Sequence, residues 1–136
     1  MLSSLAGGVL RLTLNRPEKR NALDSSTIAA LTDALAQAEL DSAVRVVAIS
    51  GAGKDFCAGA DLDELLASAN QPPEENEKAA ARLGAVFSAI RRLPKPVVAV
   101  VHGRALAGGA GLVTGCDLAI AAQSAQFGYP EVQRGF

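Results

Sequence analysis

Two segments rich in glycine and alanine have the composition of turns that present main-chain amides to a ligand. The first, FCAGAD, spans residues 56–61, and the second, AGGAG, spans residues 107–111. Small side chains let a ligand approach the backbone closely. Free N–H groups at the start of a helix can donate to an anion or to a developing oxyanion. Both segments therefore predict anion-binding turns, and a plain tight turn between a strand and a helix is the alternative for each.

One carboxylate has the placement of an acid–base group. Glu131 follows Pro130 on a turn that the proline makes rigid, and a carboxylate held in this way is a candidate for proton transfer. An ordinary surface glutamate is the alternative. His102, the only histidine, has no serine or cysteine motif beside it, so a nucleophilic triad has no support. The two cysteines, Cys57 and Cys116, show no metal-ligand spacing and predict reduced thiols rather than a disulfide framework.

Two nucleotide-binding patterns are only partly matched. Residues 109–114 (GAGLVT) approach the dinucleotide pattern G-x-G-x-x-G but lack its third glycine, and they lie late in the chain. A Rossmann-type dehydrogenase therefore remains an alternative. A phosphate-binding P-loop is excluded, because Lys54 is followed by Asp55 rather than serine or threonine and Ala48 stands in place of the first glycine.

Strands and helices are predicted to alternate along the chain. Alternating or continuous apolar runs predict strands at residues 9–14, 44–50, 97–101 and 117–121. Helices are predicted from a cap at Asp24, Ser25 or Ser26 to about Leu40, over residues 61–69, and over residues 77–93. Residues 68–78 are predicted to form a surface connection, since Pro72 and Pro73 interrupt a helix. The pattern predicts an α/β fold with largely parallel strands.

Composition excludes several classes of partner. The chain has 136 residues, enough for one domain, with 13 basic and 14 acidic side chains and a net charge of −1. This balance gives no long-range attraction to nucleic acid or to an anionic membrane. No apolar run approaches the roughly 20 residues that a membrane span requires, and the N-terminus lacks the features of a secretory signal. We expect a cytoplasmic protein.

Five segments, in order along the chain, resemble the crotonase (enoyl-CoA hydratase/isomerase) family. They are NRPEKRNAL (residues 15–23), SGAGKDFCAGAD (50–61), KPVVAVVHG (95–103), AGGAG (107–111), and CD through FGYPEV (116–132). The resemblance covers residues 9–136. It implies a spiral of ββα units that binds a CoA thioester. It also implies that residues 1–136 are the N-terminal part of a single acyl-CoA-binding domain, so that the chain is truncated and exposes apolar surface.

The resemblance also implies roles for particular residues. In the family two backbone N–H groups bind the thioester carbonyl oxygen, and they correspond here to Ala60 and Gly108. Glu131 matches one of the two catalytic glutamates of the hydratases, whereas the other falls at Gly111, which has no side chain. The residues expected to contact the CoA ester are Lys19, Arg20, Ala22, Ala58, Ala60, Asp61, Leu62 and Gly108.

The resulting expectation is an enoyl-CoA hydratase that adds water to a 2-enoyl-CoA through one glutamate. The segment AGGAGLV resembles hydratase branches that also lack the second glutamate. An isomerase that shuttles a proton with Glu131, and a non-catalytic acyl-CoA-binding or assembly subunit, are the alternatives. The resemblance implies no metal and no cofactor apart from CoA as part of the substrate. It also implies a homotrimer, or a dimer of trimers, for the full-length chain.

Overall fold

The structure, a computed structural model, describes residues 1–135 as strands that alternate with helices. The strands are β1 (Leu2–Ala6), β2 (Val9–Leu14), β3 (Val46–Gly51), β4 (Val97–Val101), β5 (Arg104–Leu106), β6 (Leu118–Ala121) and β7 (Gln126–Gly128). The helices are α1 (Ser25–Leu40), α2 (Leu62–Ser68), α3 (Pro73–Arg92), α4 (Gly108–Gly115) and α5 (Glu131–Arg134). The predicted α/β class is confirmed.

The main sheet has five strands in the order β1-β2-β3-β4-β6. Strand β1 runs antiparallel to β2, and the remaining neighbours are parallel. A second sheet consists of β5 and β7, which are also parallel. The prediction of largely parallel pairing is therefore correct. Each parallel pair is joined by a connection that leaves the sheet and returns, as parallel strands require.

The core lies between the main sheet and the helices α1 and α3. Alternate residues of β2 and β3 point inward, as the two-residue period of a strand requires, and they meet the apolar faces of both helices. The fully buried members are Leu12, Leu14, Val47, Ile49, Val97 and Ala99 of the strands and Leu31, Leu35, Val86 and Ile90 of the helices. Phe56, the first residue of the FCAGAD turn, is also fully buried.

The helix starts follow capping chemistry. Asp24 caps α1, as predicted, because its carboxylate accepts a hydrogen bond of 2.7 Å from the amide of Thr27. The predicted start of α3 at residue 77 is wrong, since the helix begins at Pro73. Proline is well placed at the first position of a helix because that position needs no amide donor. Most of the predicted surface connection at residues 68–78 is therefore helix.

Three strands were not predicted from the sequence. Strand β1 pairs with β2 through a tight hairpin in which Gly7 and Gly8 both have positive φ. Strands β5 and β7 have only three residues each, which is too short to show a hydrophobic period. They form because each strand provides hydrogen-bond partners for the backbone of the other. Which distant segments will pair in this way cannot be seen in the local sequence.

Strand β6 and the following segment expose apolar side chains, as expected. Leu118 and Ile120 of β6 are 63% and 64% exposed, and Phe127 and Tyr129 are each 52% exposed. Among residues 1–135, no helix combines the length and the hydrophobicity needed to span a bilayer.

Candidate active site

A single cleft of about 640 Å³ collects the residues that the sequence singled out. Nine of its lining residues were predicted: Lys19, Arg20, Ala22, Ala58, Ala60, Asp61, Leu62, Gly108 and Glu131. Others that line it are Glu18, Asp63, Leu65, Leu83, Leu106, Ala107 and Pro130. Charged side chains lie toward residues 18–20 and 61–63, whereas apolar ones predominate around α3 and residues 106–108.

The first turn of the cleft leaves one main-chain amide without a partner. Leu23 pairs with this turn on both sides of Ala60: its amide donates to the Gly59 carbonyl (2.7 Å), and its carbonyl accepts from the Asp61 amide (3.1 Å). The Ala60 amide between these two bonds makes no hydrogen bond within residues 1–135. Gly59 has a φ of 100°, a conformation that favours glycine. The Ala60 amide is therefore free to donate to a ligand.

The second turn has the same property at the start of α4. Ala107 precedes the helix with a φ of 52°, and Gly108 is its first residue. The first N–H groups of a helix have no acceptor within it, and the Gly108 amide makes no hydrogen bond elsewhere in the described chain. The macrodipole of the helix adds positive potential at this end.

The two turns pack directly against each other. A Cβ atom added at Gly59 would lie 2.7 Å from the Ala107 Cβ and 3.3 Å from the Gly108 nitrogen. An added Cβ at Gly109 would lie 2.2 Å from the carbonyl oxygen of Cys57. These positions therefore require glycine, and its absence of a side chain brings the two free amides to one cleft.

Glu131 faces the same cleft from the first turn of α5. Its Oε2 atom is shielded from solvent and has no hydrogen-bond partner among the described residues. A buried carboxylate oxygen without a partner is unfavourable for folding alone, and such atoms are frequent where a substrate or water binds. The arrangement can deliver a proton to a ligand, or take one from it.

Position 111, to which the resemblance assigns the second glutamate of the hydratases, lies against an aromatic ring. A Cβ at Gly111 would lie 2.9 Å from Cζ of Phe87, with two further ring atoms at 3.3 and 3.4 Å. A side chain at this position would require the ring to move, so the glycine and the phenylalanine fit each other. Gly111 does not line the cleft. Among the described residues that do, Glu131 is the one for which the sequence predicted an acid–base role.

Two basic side chains lie at the charged end of the cleft. Lys19 donates to the Asp63 carboxylate at 2.7 Å, and both side chains are largely exposed. Arg20 also lines the cleft and makes no ion pair within residues 1–135. A phosphate group entering this end would meet the Arg20 guanidinium directly and would compete with Asp63 for Lys19.

Asp55 and Arg104 join the segments that precede the two turns. The guanidinium of Arg104 donates from Nε and Nη2 to the two carboxylate oxygens of Asp55, each at 2.8 Å. The hydrogen bond from Arg104 outweighs the effect of burial and holds the pKa of Asp55 below its ordinary value. The adjoining residues Cys57 and Ala105 pair as a parallel bridge. Because the two partners are 49 residues apart, no local spacing in the sequence indicates this pair.

The remaining polar candidates do not face the cleft. His102 contacts the carbonyl oxygen of Gly53 through Nε2 at 2.7 Å, a local structural bond. Burial raises the pKa of the Cys57 thiol to about 11 and that of Cys116 to about 12. Cys57 and Cys116 are not joined by a disulfide in the structure. The part of the chain described by the structure contains no group of three or more side chains suited to hold a metal ion.

Comparisons with a family model and with known proteins point to the same family. The family model described as Enoyl-CoA hydratase/isomerase matches residues 4–136. A mevalonyl-coenzyme A hydratase of Aspergillus fumigatus is 42% identical over 127 residues, which cover 93% of this chain and 46% of the relative. A 1,2-epoxyphenylacetyl-CoA isomerase of Escherichia coli is 38% identical over 128 residues, or 93% of this chain and 49% of the relative.

Solved structures agree with the sequence comparison. The crystal structure of an enoyl-CoA hydratase from Mycobacterium smegmatis superposes with a TM-score of 0.93 at 44% identity, covering 99% of this chain and 52% of that one. The predicted crotonase-like fold is thereby confirmed. The chain spans about half the length of the curated relatives it matches. On its sequence and its fold, the chain belongs to the enoyl-CoA hydratase/isomerase family.

Proposed function

We propose that this chain supplies the thioester-binding turns and the acid–base group of an enoyl-CoA hydratase. The observation that carries the proposal is the conjunction of three groups in one cleft: the unbonded amides of Ala60 and Gly108 and the unpartnered Oε2 of Glu131. Two donors for an anionic oxygen beside a carboxylate are the groups needed for proton chemistry next to a thioester carbonyl.

The polarity of the cleft gives the substrate an orientation. The phosphates of CoA are anionic, so they are placed at the end that contains Lys19 and Arg20. The thioester carbonyl oxygen then lies between the amides of Ala60 and Gly108, with the acyl chain toward the apolar side chains of Leu83 and Leu106. CoA enters as part of the substrate, and the proposal includes no resident cofactor or metal.

Hydration in this arrangement needs one carboxylate used twice. The Glu131 carboxylate takes a proton from water while the water oxygen bonds to the β-carbon of the enoyl group. The electron pair of the carbon–carbon double bond moves toward the thioester, and the resulting enolate oxygen accepts hydrogen bonds from Ala60 and Gly108. The protonated Glu131 then returns its proton to the α-carbon, which yields the 3-hydroxyacyl-CoA.

The two amides are expected to contribute most of the stabilisation of the enolate. Removing a single well-placed donor from an oxyanion site reduces kcat by roughly 10²- to 10³-fold. Because both donors belong to the main chain, a side-chain substitution acts by displacing a turn or by blocking access. Gly59 and Gly109, at which the two turns contact each other, are the positions most sensitive to such displacement.

An enoyl-CoA isomerase is the second candidate, and the contact between Gly111 and Phe87 favours it. Position 111 carries no carboxylate and lies against the ring, and a single base is sufficient to move a proton between the α- and γ-carbons of an enoyl thioester. The relatives include proteins of both names. The two reactions differ in their products, since only hydration incorporates an oxygen atom from solvent.

Product analysis with the full-length protein tests the proposal. We expect a short 2-enoyl-CoA to be converted to the 3-hydroxyacyl-CoA with oxygen from labelled water, detected by mass spectrometry. Glu131→Gln is expected to lower kcat by about 10²- to 10⁴-fold while CoA-ester affinity is retained. Glu39→Gln, at an exposed position on α1 that does not line the cleft, is the control and should leave turnover unchanged.

Each contrary result has a distinct meaning. Migration of the double bond without oxygen incorporation would support the isomerase. Binding of the CoA ester without turnover, and indifference to Glu131→Gln, would support a non-catalytic binding subunit. Binding of NAD(H) instead of a CoA ester would favour the dehydrogenase alternative.

A further inference from the structure

Arg16 joins two separate segments, residues 22–24 and the turn that ends at Asp61, through one nitrogen atom. Its Nη1 donates to the Ala22 carbonyl oxygen at 2.8 Å and lies 2.9 Å from Asp61 Oδ2 and 3.3 Å from Asp24 Oδ2. The side chain is 25% exposed, but it does not line the cleft. Arg16 therefore cannot contact a substrate there, and its effect must pass through the residues that it holds.

The three acceptors are themselves structural anchors of the site. Asp61 immediately follows Ala60 and caps α2, with its carboxylate accepting from the amides of Asp63 and Glu64. Asp24 caps α1, and Ala22 belongs to the segment that lines the charged end of the cleft. One guanidinium thus connects the turn that carries the free Ala60 amide to the segment assigned to CoA.

The charges at this junction are mutually stabilised. Burial of Asp61 opposes its ionisation, but the hydrogen bonds from Arg16 and from the two amides of α2 hold its pKa below the ordinary value. Asp61 is only 4% exposed, and a carboxylate this deeply buried without its cation would be strongly unfavourable. Removing Arg16 would therefore force the turn at residues 58–61 to rearrange so that Asp61 reaches solvent.

The backbone of Arg16 closes the same junction from the other side. Its amide donates to Asn21 Oδ1 at 2.9 Å, and its carbonyl oxygen accepts from the Asn21 amide at 2.9 Å. Asn21 is 1% exposed and donates through Nδ2 to the carbonyl oxygens of Ala52 and Asp55. Asn21 therefore fixes this side of the junction. The turn at residues 58–61 is held to it by the backbone hydrogen bonds of Leu23 and by the Arg16 side chain, which contacts the residue directly after Ala60.

We infer that Arg16 is a positioning residue: its guanidinium fixes the direction of the Ala60 amide relative to the CoA segment, and so sets the rate of the chemical step more than the affinity for CoA. The inference rests on the proposed function, since it assigns the Ala60 amide to the thioester oxygen. Misplacement of a catalytic group by about 1 Å can reduce a rate by roughly 10²-fold.

The test uses two variants of the full-length protein and one control. Arg16→Gln removes the charge, and Arg16→Lys keeps it on an ammonium group that has three donors but reaches less far. Arg11→Gln is the control, because Arg11 is exposed on β2 and makes no ion pair within residues 1–135. The measurements are kcat and KM for a 2-enoyl-CoA, the Kd of free CoA, and the enolate absorbance of a bound 3-oxoacyl-CoA.

The expected pattern separates positioning from a merely structural role. Arg16→Gln should lower kcat by about 10- to 100-fold and weaken the enolate absorbance, with the Kd of CoA changed by less than about 3-fold. Arg16→Lys should show a smaller loss of about 3- to 10-fold, and Arg11→Gln should match the wild type. If Arg16→Gln does not fold, the inference is tested by whether Arg16→Lys loses kcat and enolate absorbance.

Three results would overturn the inference. One is a wild-type kcat and enolate signal in the folded fraction of either Arg16 variant, whatever the loss of stability. Another is an equal loss of CoA affinity and of kcat. In the third, the wild type neither turns over an enoyl-CoA nor binds a 3-oxoacyl-CoA as the enolate; the proposed function then fails at the wild type, before any variant is compared, and the inference fails with it.

Discussion

Replacing Gly109 by alanine tests whether the contact between the two turns determines stability and activity. Gly109 is buried near the start of α4, where an added Cβ would lie 2.2 Å from the Cys57 carbonyl oxygen and 2.8 Å from the Cys57 Cβ. Backbone atoms cannot rotate away as side chains can. A Cβ does not come within 3.0 Å of such an atom, so the segments must separate by about 0.8 Å or more.

The same substitution at Gly84 provides a matched control. Gly84 is exposed within α3, and an added Cβ there meets no atom within 4 Å. Alanine is favoured over glycine inside a helix by about 1 kcal/mol, so Gly84→Ala should raise the free energy of unfolding by up to that amount. At Gly109 the helix propensity is opposed by overpacking, which commonly costs about 1–3 kcal/mol. We expect a net loss of up to about 2 kcal/mol.

Activity gives a second and larger readout. Separation of the turns displaces the Gly108 amide from the Ala60 amide, and a displacement approaching 1 Å reduces a rate by roughly 10²-fold. Urea unfolding of both variants and their turnover of a 2-enoyl-CoA are the measurements. If Gly109→Ala were as stable and as active as Gly84→Ala, the close packing of α4 on residue 57 would not hold the site, and the reasoning would be refuted.

Three further predictions concern charge and ionisation. Asp63→Asn removes the partner of Lys19, so the affinity for CoA should rise by about 2- to 5-fold in calorimetry, since an exposed ion pair is weak. The folded protein at neutral pH should resist alkylation by iodoacetamide, because the thiols of Cys57 and Cys116 have pKa values of about 11 and about 12. The Asp61 carboxylate has a pKa below its ordinary 3.8, so at low pH the folded state binds fewer protons than the unfolded chain. The free energy of unfolding, measured by urea titration, should therefore be constant above about pH 5 and fall as the pH drops below about 4.

Each of these predictions has a clear contrary result. An unchanged or lower affinity for CoA in Asp63→Asn would mean that Lys19 does not contact the phosphates. Equal alkylation of folded and urea-unfolded protein would mean that the thiols are accessible. A free energy of unfolding that rises on acidification would mean that the buried carboxylate is unfavourable when ionised.

The sequence predicted the turns of the cleft because the physical requirement there is local. Close approach of a ligand to the backbone needs small residues, and these are visible as FCAGAD and AGGAG. The strands β2, β4 and β6 were also predicted with bounds equal or close to those observed, since their apolar runs are read directly from the chain. Glu131 was a candidate because it follows Pro130 on a turn, and its match to the family pattern favoured the acid–base role over an ordinary surface glutamate.

The parts that hold the cleft in place were not predicted, because they depend on contacts between distant residues. Arg104 and Asp55 are 49 residues apart in the sequence, and α1 and β3 lie between Arg16 and Asp61. Neither pair has a recognisable spacing. The closure of position 111 by Phe87 likewise depends on the packing of α3 against α4, so the sequence showed a missing carboxylate but not the ring that occupies its place.

The order of strands in the main sheet, β1-β2-β3-β4-β6, repeats their order along the polypeptide. A chain that emerges from the ribosome with its N-terminus first can therefore add each strand to an edge that already exists. The free amide of Ala60 is different, because the segment before it pairs with Ala105. Ribosome-bound chains of increasing length should thus acquire a protected sheet in steps, and the ability to bind a thioester only after β5 and the Gly108 amide of α4 have emerged.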